Sequence, residues 1–359
     1  VNKIMVEAAQ PYDVLIGDGL LEQCGRLIRQ ACSAAQKVLI VSDTNVAPLY
    51  MDTVKSSLEG EGFIVSEYIF PAGEEEKNIS SVAGMWSEMA REGFTRTDIV
   101  AALGGGVTGD MGGFAAATFL RGIRVVQIST SLLSMVDASV GGKTGIDLPQ
   151  GKNLVGAFCQ PALVIEDTGC LRSLSTEHFT EGMAEVIKYA FIMDGTLFRI
   201  LSSRAESGSA GSLQTDAEAL TDIVCRCVRD KAMIIAQDEH DNGIRQILNY
   251  GHTIGHVIER DSNYSLSHGV CVAKGMGIII RACRRSGSLE SKSADMMTEL
   301  IRAYNLPTED KITPEQAAEG ARNDKKKRGD TISVILVNKI GSAEICRMST
   351  EELLEFLKT

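Results

Sequence analysis

The first 170 residues repeat one pattern, short β-branched runs separated by stretches of helical character. The runs are VLIVSD (38–43), FIVSEYIF (63–70), DIVAAL (98–103), RVVQIS (124–129) and ALVIED (162–167). Such alternation predicts a parallel sheet with crossover helices. Beyond about residue 175 the pattern gives way to long amphipathic helices, one over EHFTEGMAEVIKYAFI and another over EALTDIVCRCVRDKAMIIAQ. A chain of 359 residues exceeds what one hydrophobic core usually serves. Two domains are therefore expected: an α/β domain over 1–174 and a mainly α-helical domain over 175–359. Near the end, TISVILVN and SAEICRM flank Gly341 as a hairpin would, and STEELLEFLK opens with a capping-box signature.

Charge narrows the choice of partners. With 47 acidic against 36 basic residues the chain carries a formal charge of −11, which repels a nucleic-acid backbone. No run approaches the roughly 18 apolar residues of a membrane span, and VNKIMVEAAQ lacks the charged-then-apolar form of a signal peptide. No nucleic acid, no membrane and a cytoplasmic location are the expectations. Nine cysteines without a C-x-x-C pair fit reduced core thiols, Cys225 and Cys227 among them.

Directly after DIVAAL comes GGGVTGDMGG, in which Gly104, Gly106 and Gly109 satisfy G-x-G-x-x-G and lead into a helix. Backbone can approach a pyrophosphate at such a turn. About twenty residues on, VVQIS offers no acidic residue for a ribose. Asp43, ending an earlier strand, and PAGEEEKN (71–78), following the next one, are the substitutes, since the carboxyl ends of neighbouring strands can line one nucleotide crevice. A second loop, DASVGGKTG (137–145), is not a P-loop: Asp137 stands where the first glycine belongs, and β-prone residues rather than a helix follow Lys143. Lys143 and Lys152, flanked by glycine, are candidates for a ligand phosphate.

Three of five histidines fall within 17 residues. GHTIGH sets His252 and His256 at i and i+4 on one helical face, and His268 can return to it at the start of the next helix. EGMAEVIKY offers Glu181 and Glu185 for a carboxylate ligand. Two histidines and one glutamate with open positions make a catalytic zinc arrangement; spacing leaves open which two histidines bind. Lys188 follows Glu185 by three residues and projects from nearly the same face. Arg121, Lys143, Lys152, Lys231, Arg245 and the triple lysine Lys325–Lys327 add cations to an acidic chain, and together they suggest a small substrate bearing phosphate or carboxylate.

GGGVTGDMGGFAAATFLRG, SMVDASVGGKTGIDLPQGKNLVGAF, EGMAEVIKYA and ILNYGHTIGHVIE, in that order, closely resemble the 3-dehydroquinate synthases of the sugar phosphate cyclase superfamily, and the similarity runs over essentially the whole chain. The resemblance implies an N-terminal Rossmann-like domain, an α-helical second domain, NAD, Zn2+ or Co2+, and a homodimer. It places the metal on Glu185, His252 and His268. Nucleotide contacts fall on Asp43, Asn45, Glu74 and Lys77, on Gly106, Val107, Thr108, Gly109 and Asp110, and on Thr130 and Ser131, with Lys143 and Lys152 close by. Lys143, Asn153, Asn249 and His256 look like a phosphate pocket that Arg121 of the partner subunit completes. Lys231 and Arg245 look like a carboxylate clamp, and Asp137, Lys152 and Lys188 like the groups around substrate hydroxyls. One departure stands at 71–74, where the chain reads Pro-Ala-Gly-Glu and the family often reads Pro-Asp-Gly-Glu. The implied substrate is 3-deoxy-D-arabino-heptulosonate 7-phosphate, which suits this inventory of cations. Rival expectations are another cyclase, such as a 2-deoxy-scyllo-inosose synthase, and a metal-dependent polyol dehydrogenase. Lys231 and Arg245 favour a carboxylated substrate over that cyclase, and a dehydrogenase, which should release NADH, has little use for so many anion-binding groups.

Overall fold

A computed structural model describes residues 1–324 and 331–358. Two compact units emerge. Val1–Ser175 and Gln214–His240 form one; Thr176–Leu213 and Asp241–Thr359 form the other. The triple lysine Lys325–Lys327 lies outside the described residues.

In the first unit, the described residues place seven strands in one sheet, in the order β1-β2-β9-β6-β5-β3-β4. These are β1 (Asn2–Val6), β2 (Tyr12–Gly17), β3 (Lys37–Asp43), β4 (Ile64–Phe70), β5 (Ile99–Gly104), β6 (Arg124–Ser129) and β9 (Leu163–Asp167). All neighbours run parallel except β1 and β2. Every residue of β5 and of β9 is buried, as strands covered on both faces must be. The five apolar runs read from the sequence are β3, β4, β5, β6 and β9. β1 escaped that reading because it lies at the sheet edge, where only Val6 of NKIMV is buried and the apolar stretch is just Ile4–Val6. A separate antiparallel hairpin joins β7 (Lys143–Leu148) to β8 (Gly151–Phe158), so a strand, not a helix, does follow Lys143.

The glycine-loop helix, Gly106–Thr118, lies close on this framework. A β-carbon on Gly112 would come within 2.9 Å of the Ala102 β-carbon, and one on Gly113 within 2.4 Å of a Thr144 methyl. Contact that tight requires hydrogen in place of a side chain.

The expected single boundary at 174/175 is corrected. The chain does leave the first unit at Ser175, but it returns at Gln214. The helix Ala217–Gln237, capped by Asp216 accepting from the Ala219 N–H, packs on β1 and β2. Amphipathic period states that a helix buries one face; it does not state against what.

The second unit is helical, with His268–Ser286 packed against both Thr176–Ile192 and His252–Asp261, and carries the antiparallel hairpin β10 (Ile332–Lys339) to β11 (Ser342–Met348). Gly341 turns it at φ +81°. The final helix has the expected capping box: the Ser349 N–H donates to the Glu352 carboxylate at 2.7 Å, and the Glu352 N–H donates to Ser349 Oγ at 3.1 Å.

One acid of the first unit is out of place. Glu166 on β9 has no exposure, and its Oε1 accepts from Ser139 Oγ at 3.2 Å while Oε2 finds no hydrogen-bond donor among the described residues. Burial holds its carboxyl well above the usual carboxylate range, against the opposing pull of Ser139 and Lys231. A carboxyl that keeps its proton on folding contributes stability that is complete below the unfolded pKa of about 4.3 and is lost as pH rises through the folded value. Glu166→Gln removes that titration. Its melting temperature should gain on the parent's as pH rises above about 5; a difference that does not change with pH contradicts a buried neutral carboxyl.

Candidate active site

In the first unit, the chain passes from β3 outward to β4 and then back to β5 on the other side of β3. Strand order reverses there, and open α/β sheets bind ligands at the carboxyl ends of such strands. Asp43 ends β3, and Gly104 ends β5 directly before the glycine-loop helix. Asp43 Oδ1 accepts from the N–H groups of Asn45 and Val46 at 2.8 and 3.0 Å, which holds its Oδ2 toward Thr108 Oγ1 at 3.4 Å. Among the described residues no side chain caps the glycine-loop helix at Gly105, which leaves the first-turn amides of Gly106, Val107 and Thr108 suited to an anion. Thr130 is tied to the same place, its N–H donating to the Gly104 carbonyl at 3.0 Å, and Ser131 lies next to Gly105.

Residues that the resemblance assigns separately to nucleotide and to substrate form one network. Lys77 is buried, with Nζ 2.6 Å from Asp110 Oδ2 and 2.6 Å from Asn153 Oδ1. The Asn153 N–H donates to Asp147 at 2.7 Å, and the Asp147 N–H donates to the Lys77 carbonyl at 2.8 Å. Lys152 reaches Glu74 at 3.5 Å. Burial works against the Lys77 charge, but Asp110, Glu74 and Asp147 outweigh it and raise the ammonium's pKa. The β7–β8 hairpin is thereby clamped to the turn that follows β4.

Asp137 sits in a π-helical turn, Ser134–Ala138, and is held by Lys231, whose Nζ also donates to the Asp137 carbonyl at 2.5 Å. The returning helix Ala217–Gln237 delivers this lysine, 94 residues away in sequence. Lys143 is exposed at the start of β7, and Arg121 is exposed on a left-handed turn with φ +67°.

In the second unit the three histidines converge. His252 and His256 sit at i and i+4 on one helix, and His268 opens the next, as expected. Close approach is built into the backbone: a β-carbon on Gly275 would meet the Gly251 carbonyl at 2.1 Å, and one on Gly269 the Glu181 carbonyl at 2.3 Å. Glu185 has no exposure, and its Oε1 lies 3.4 Å from His252 Nε2 and 3.6 Å from His268 Nε2. Donor atoms of Glu185, His252 and His268 all fall within 4.8 Å of one another. One carboxylate and two imidazoles at that spacing fit a divalent ion with positions left for substrate. Glu181, the other carboxylate considered, instead pairs with His178 at 3.0 Å. Lys188 pairs with Glu185 Oε2 and is itself buried.

Burial pushes His252 down to about 3, which leaves it a neutral donor. Against the lowering effect of burial, Glu185 and Glu259 lift His268 to about 9. Arg245, 2 % exposed, and Asn249 lie on the short 3-10 helix Ile244–Asn249, which packs on the β10–β11 hairpin. The sequence reading missed Glu259, although it stands three residues after His256 and seven after His252 and so shares their helical face.

Known proteins match this chain over nearly its whole length. Residues 67–181 match a sequence model for the 3-dehydroquinate synthase N-terminal domain and residues 182–327 one for the C-terminal domain. A 3-dehydroquinate synthase of Streptococcus pneumoniae (strain JJA) is 41% identical over 349 residues, 97% of each chain. Among solved structures, 2-epi-5-epi-valiolone synthase from Streptomyces hygroscopicus subsp. jinggangensis 5008, with NAD+ and Zn2+ bound, is 26% identical at a TM-score of 0.86, covering 97% of this chain and 96% of its own. A 2-deoxy-scyllo-inosose synthase is 22% identical at a TM-score of 0.86 and covers 99% of both chains, so it shares the fold.

The geometry separates the two candidate carboxylates experimentally. Glu185→Gln should weaken zinc binding by more than about 100-fold, beyond what loss of an outer hydrogen-bond partner costs, while Glu181→Gln should retain the ion. Metal content after dialysis against a chelator checks this; the reverse ranking would move the ligand to Glu181.

Proposed function

The chain belongs to the 3-dehydroquinate synthase family, and on that premise we propose that it converts 3-deoxy-D-arabino-heptulosonate 7-phosphate to 3-dehydroquinate and phosphate, in the shikimate route to aromatic amino acids. The assignment is carried by one observation: the residues that the resemblance gives to the metal form one of the two groups, among the described residues, whose donor atoms lie within 4.8 Å of one another. Glu185, His252 and His268 would hold zinc or cobalt, and the glycine-loop amides with Asp43 would hold the pyrophosphate and ribose of NAD. A similar 2-epi-5-epi-valiolone synthase carries both NAD+ and Zn2+, which supports the pairing. When bound, the ion would supply Lewis acidity toward a substrate hydroxyl and NAD would supply reversible hydride transfer.

The chain's own side chains bind and orient. Lys231 and Arg245, both buried, grip the substrate carboxylate, and the planar guanidinium can do so with two parallel hydrogen bonds. Lys143, Asn153, Asn249 and His256 receive the phosphate. Asp137, Lys152 and Lys188 surround the hydroxyls, positioning one substrate through successive steps. Glu74, Lys77, Asp110, Thr130 and Ser131 complete the nucleotide side with Asn45. Arg121, exposed on its left-handed turn, reaches the partner's phosphate pocket in a homodimer. The cysteines stand as free thiols, in keeping with a cytoplasmic enzyme. No helix among the described residues is long and apolar enough to cross a membrane.

Two assays test the proposal. With the heptulosonate phosphate and a catalytic amount of NAD, phosphate should appear in large excess over cofactor without net NADH; stoichiometric NADH instead marks a polyol dehydrogenase. Arg245→Lys keeps the charge but loses the fork, so kcat/KM should fall by about 30-fold to several thousand-fold, the roughly 2 to 5 kcal/mol that a buried charged contact carries. Metal content and NAD affinity should stay intact. A variant that matches the parent, or a parent that prefers an analogue lacking the carboxylate, points to another cyclase.

A further inference from the structure

His252 and His268 show the same orientation by different means. Each turns Nε2 toward the one carboxylate oxygen, Glu185 Oε1, at 3.4 and 3.6 Å. Each turns Nδ1 the other way, toward an acceptor. His252 Nδ1 lies 3.1 Å from the Tyr250 carbonyl, a backbone group two residues before it. His268 opens its helix, and among the described residues no carbonyl takes that place; its Nδ1 faces Glu259 Oε2 at 3.8 Å. An imidazole that donates Nδ1–H to an acceptor presents the Nε2 lone pair to a metal, and the acceptor fixes both tautomer and ring angle.

We propose that Glu259 is a positioning residue for the metal centre, holding His268 by Nδ1 so that Nε2 meets the ion. Its side chain is 6% exposed, whereas that of His268 is 32% exposed and so less confined by packing than that of His252 at 10%. The ring with the looser surroundings is the one that receives a carboxylate. Glu259 and His268 also form, with His256, a second group whose donor atoms lie within 4.8 Å. The orientation of His268 decides between the two groups: with Nε2 toward Glu185, the ion sits on the Glu185 side and Glu259 stands behind the ring. A carboxylate there makes the imidazole a stronger donor than a neutral carbonyl does. The two histidines are thus unequal ligands, and the inequality is set by an outer residue.

This inference rests on the reading of Glu185, His252 and His268 as the metal site, and its test separates the two. Zinc affinity of the parent and of Glu259→Gln is measured by competition with a chromophoric chelator, and the visible spectrum of the Co2+-loaded forms is recorded. The Gln variant should bind one zinc per chain about 10- to 100-fold more weakly, with shifted cobalt bands and unchanged NAD affinity. Should Gln prevent folding, Glu259→Asp keeps the charge at a longer reach and should show a smaller loss of affinity with a shifted spectrum. Adding Glu259→Gln to His268→Ala should cost no further affinity, because Glu259 acts through that ring. Unchanged affinity and an unchanged cobalt spectrum in a folded Gln variant overturn the proposal. So does a loss of zinc as complete as that in Glu185→Gln, which makes Glu259 a ligand of the second group. If Glu185→Gln retains the parent's zinc affinity, the metal-site reading itself has failed, and the inference falls with it.

Discussion

A carboxylate with no exposure cannot stand alone in a protein interior, and the second unit is arranged around that constraint at Glu185. Lys188 answers it from the same helix, three residues on. Two histidines answer it from two other helices, which glycines allow to come within backbone contact. The carboxylate charge that burial makes costly is the one that suits the site to a divalent cation. Removing any one of them leaves the others imperfectly matched.

The first unit meets the same problem with the signs reversed. Lys77 is a buried ammonium held by Asp110 and Asn153, with Glu74 and Asp147 adding negative charge. That cluster joins the turn after β4, the first turns of the glycine-loop helix and the β7–β8 hairpin. The backbone around the loop is positioned by close packing, Gly112 against Ala102 and Gly113 against Thr144. The first-turn amides of the glycine-loop helix therefore sit on a framework whose neighbours are fixed by both packing and charge.

Much of this was legible in the sequence, for identifiable reasons. Central strands buried on both faces must be continuous apolar runs, so β3, β5, β6 and β9 announced themselves. Histidines at i and i+4 followed by one at a helix start could hardly point elsewhere than to a shared face. The edge strand β1 was silent because exposure relaxes its composition. Glu259 was silent because a glutamate on a mostly polar helix face looks like any solvated charge until a ring is placed behind it.

The sequence by itself determined the period of each segment, the glycine turn after β5, the family and the residue types available for metal and anions. These follow from local physics: which side chains can be buried, which backbone can turn, which atoms can bind a cation. Only the tertiary structure decided that Gln214–His240 returns to the first unit, that Lys231 meets Asp137 across 94 residues, and that Glu185 rather than Glu181 faces the histidines. Those choices depend on which surfaces of distant segments fit together. A helical period is identical whichever neighbour buries it, so no local pattern records the answer.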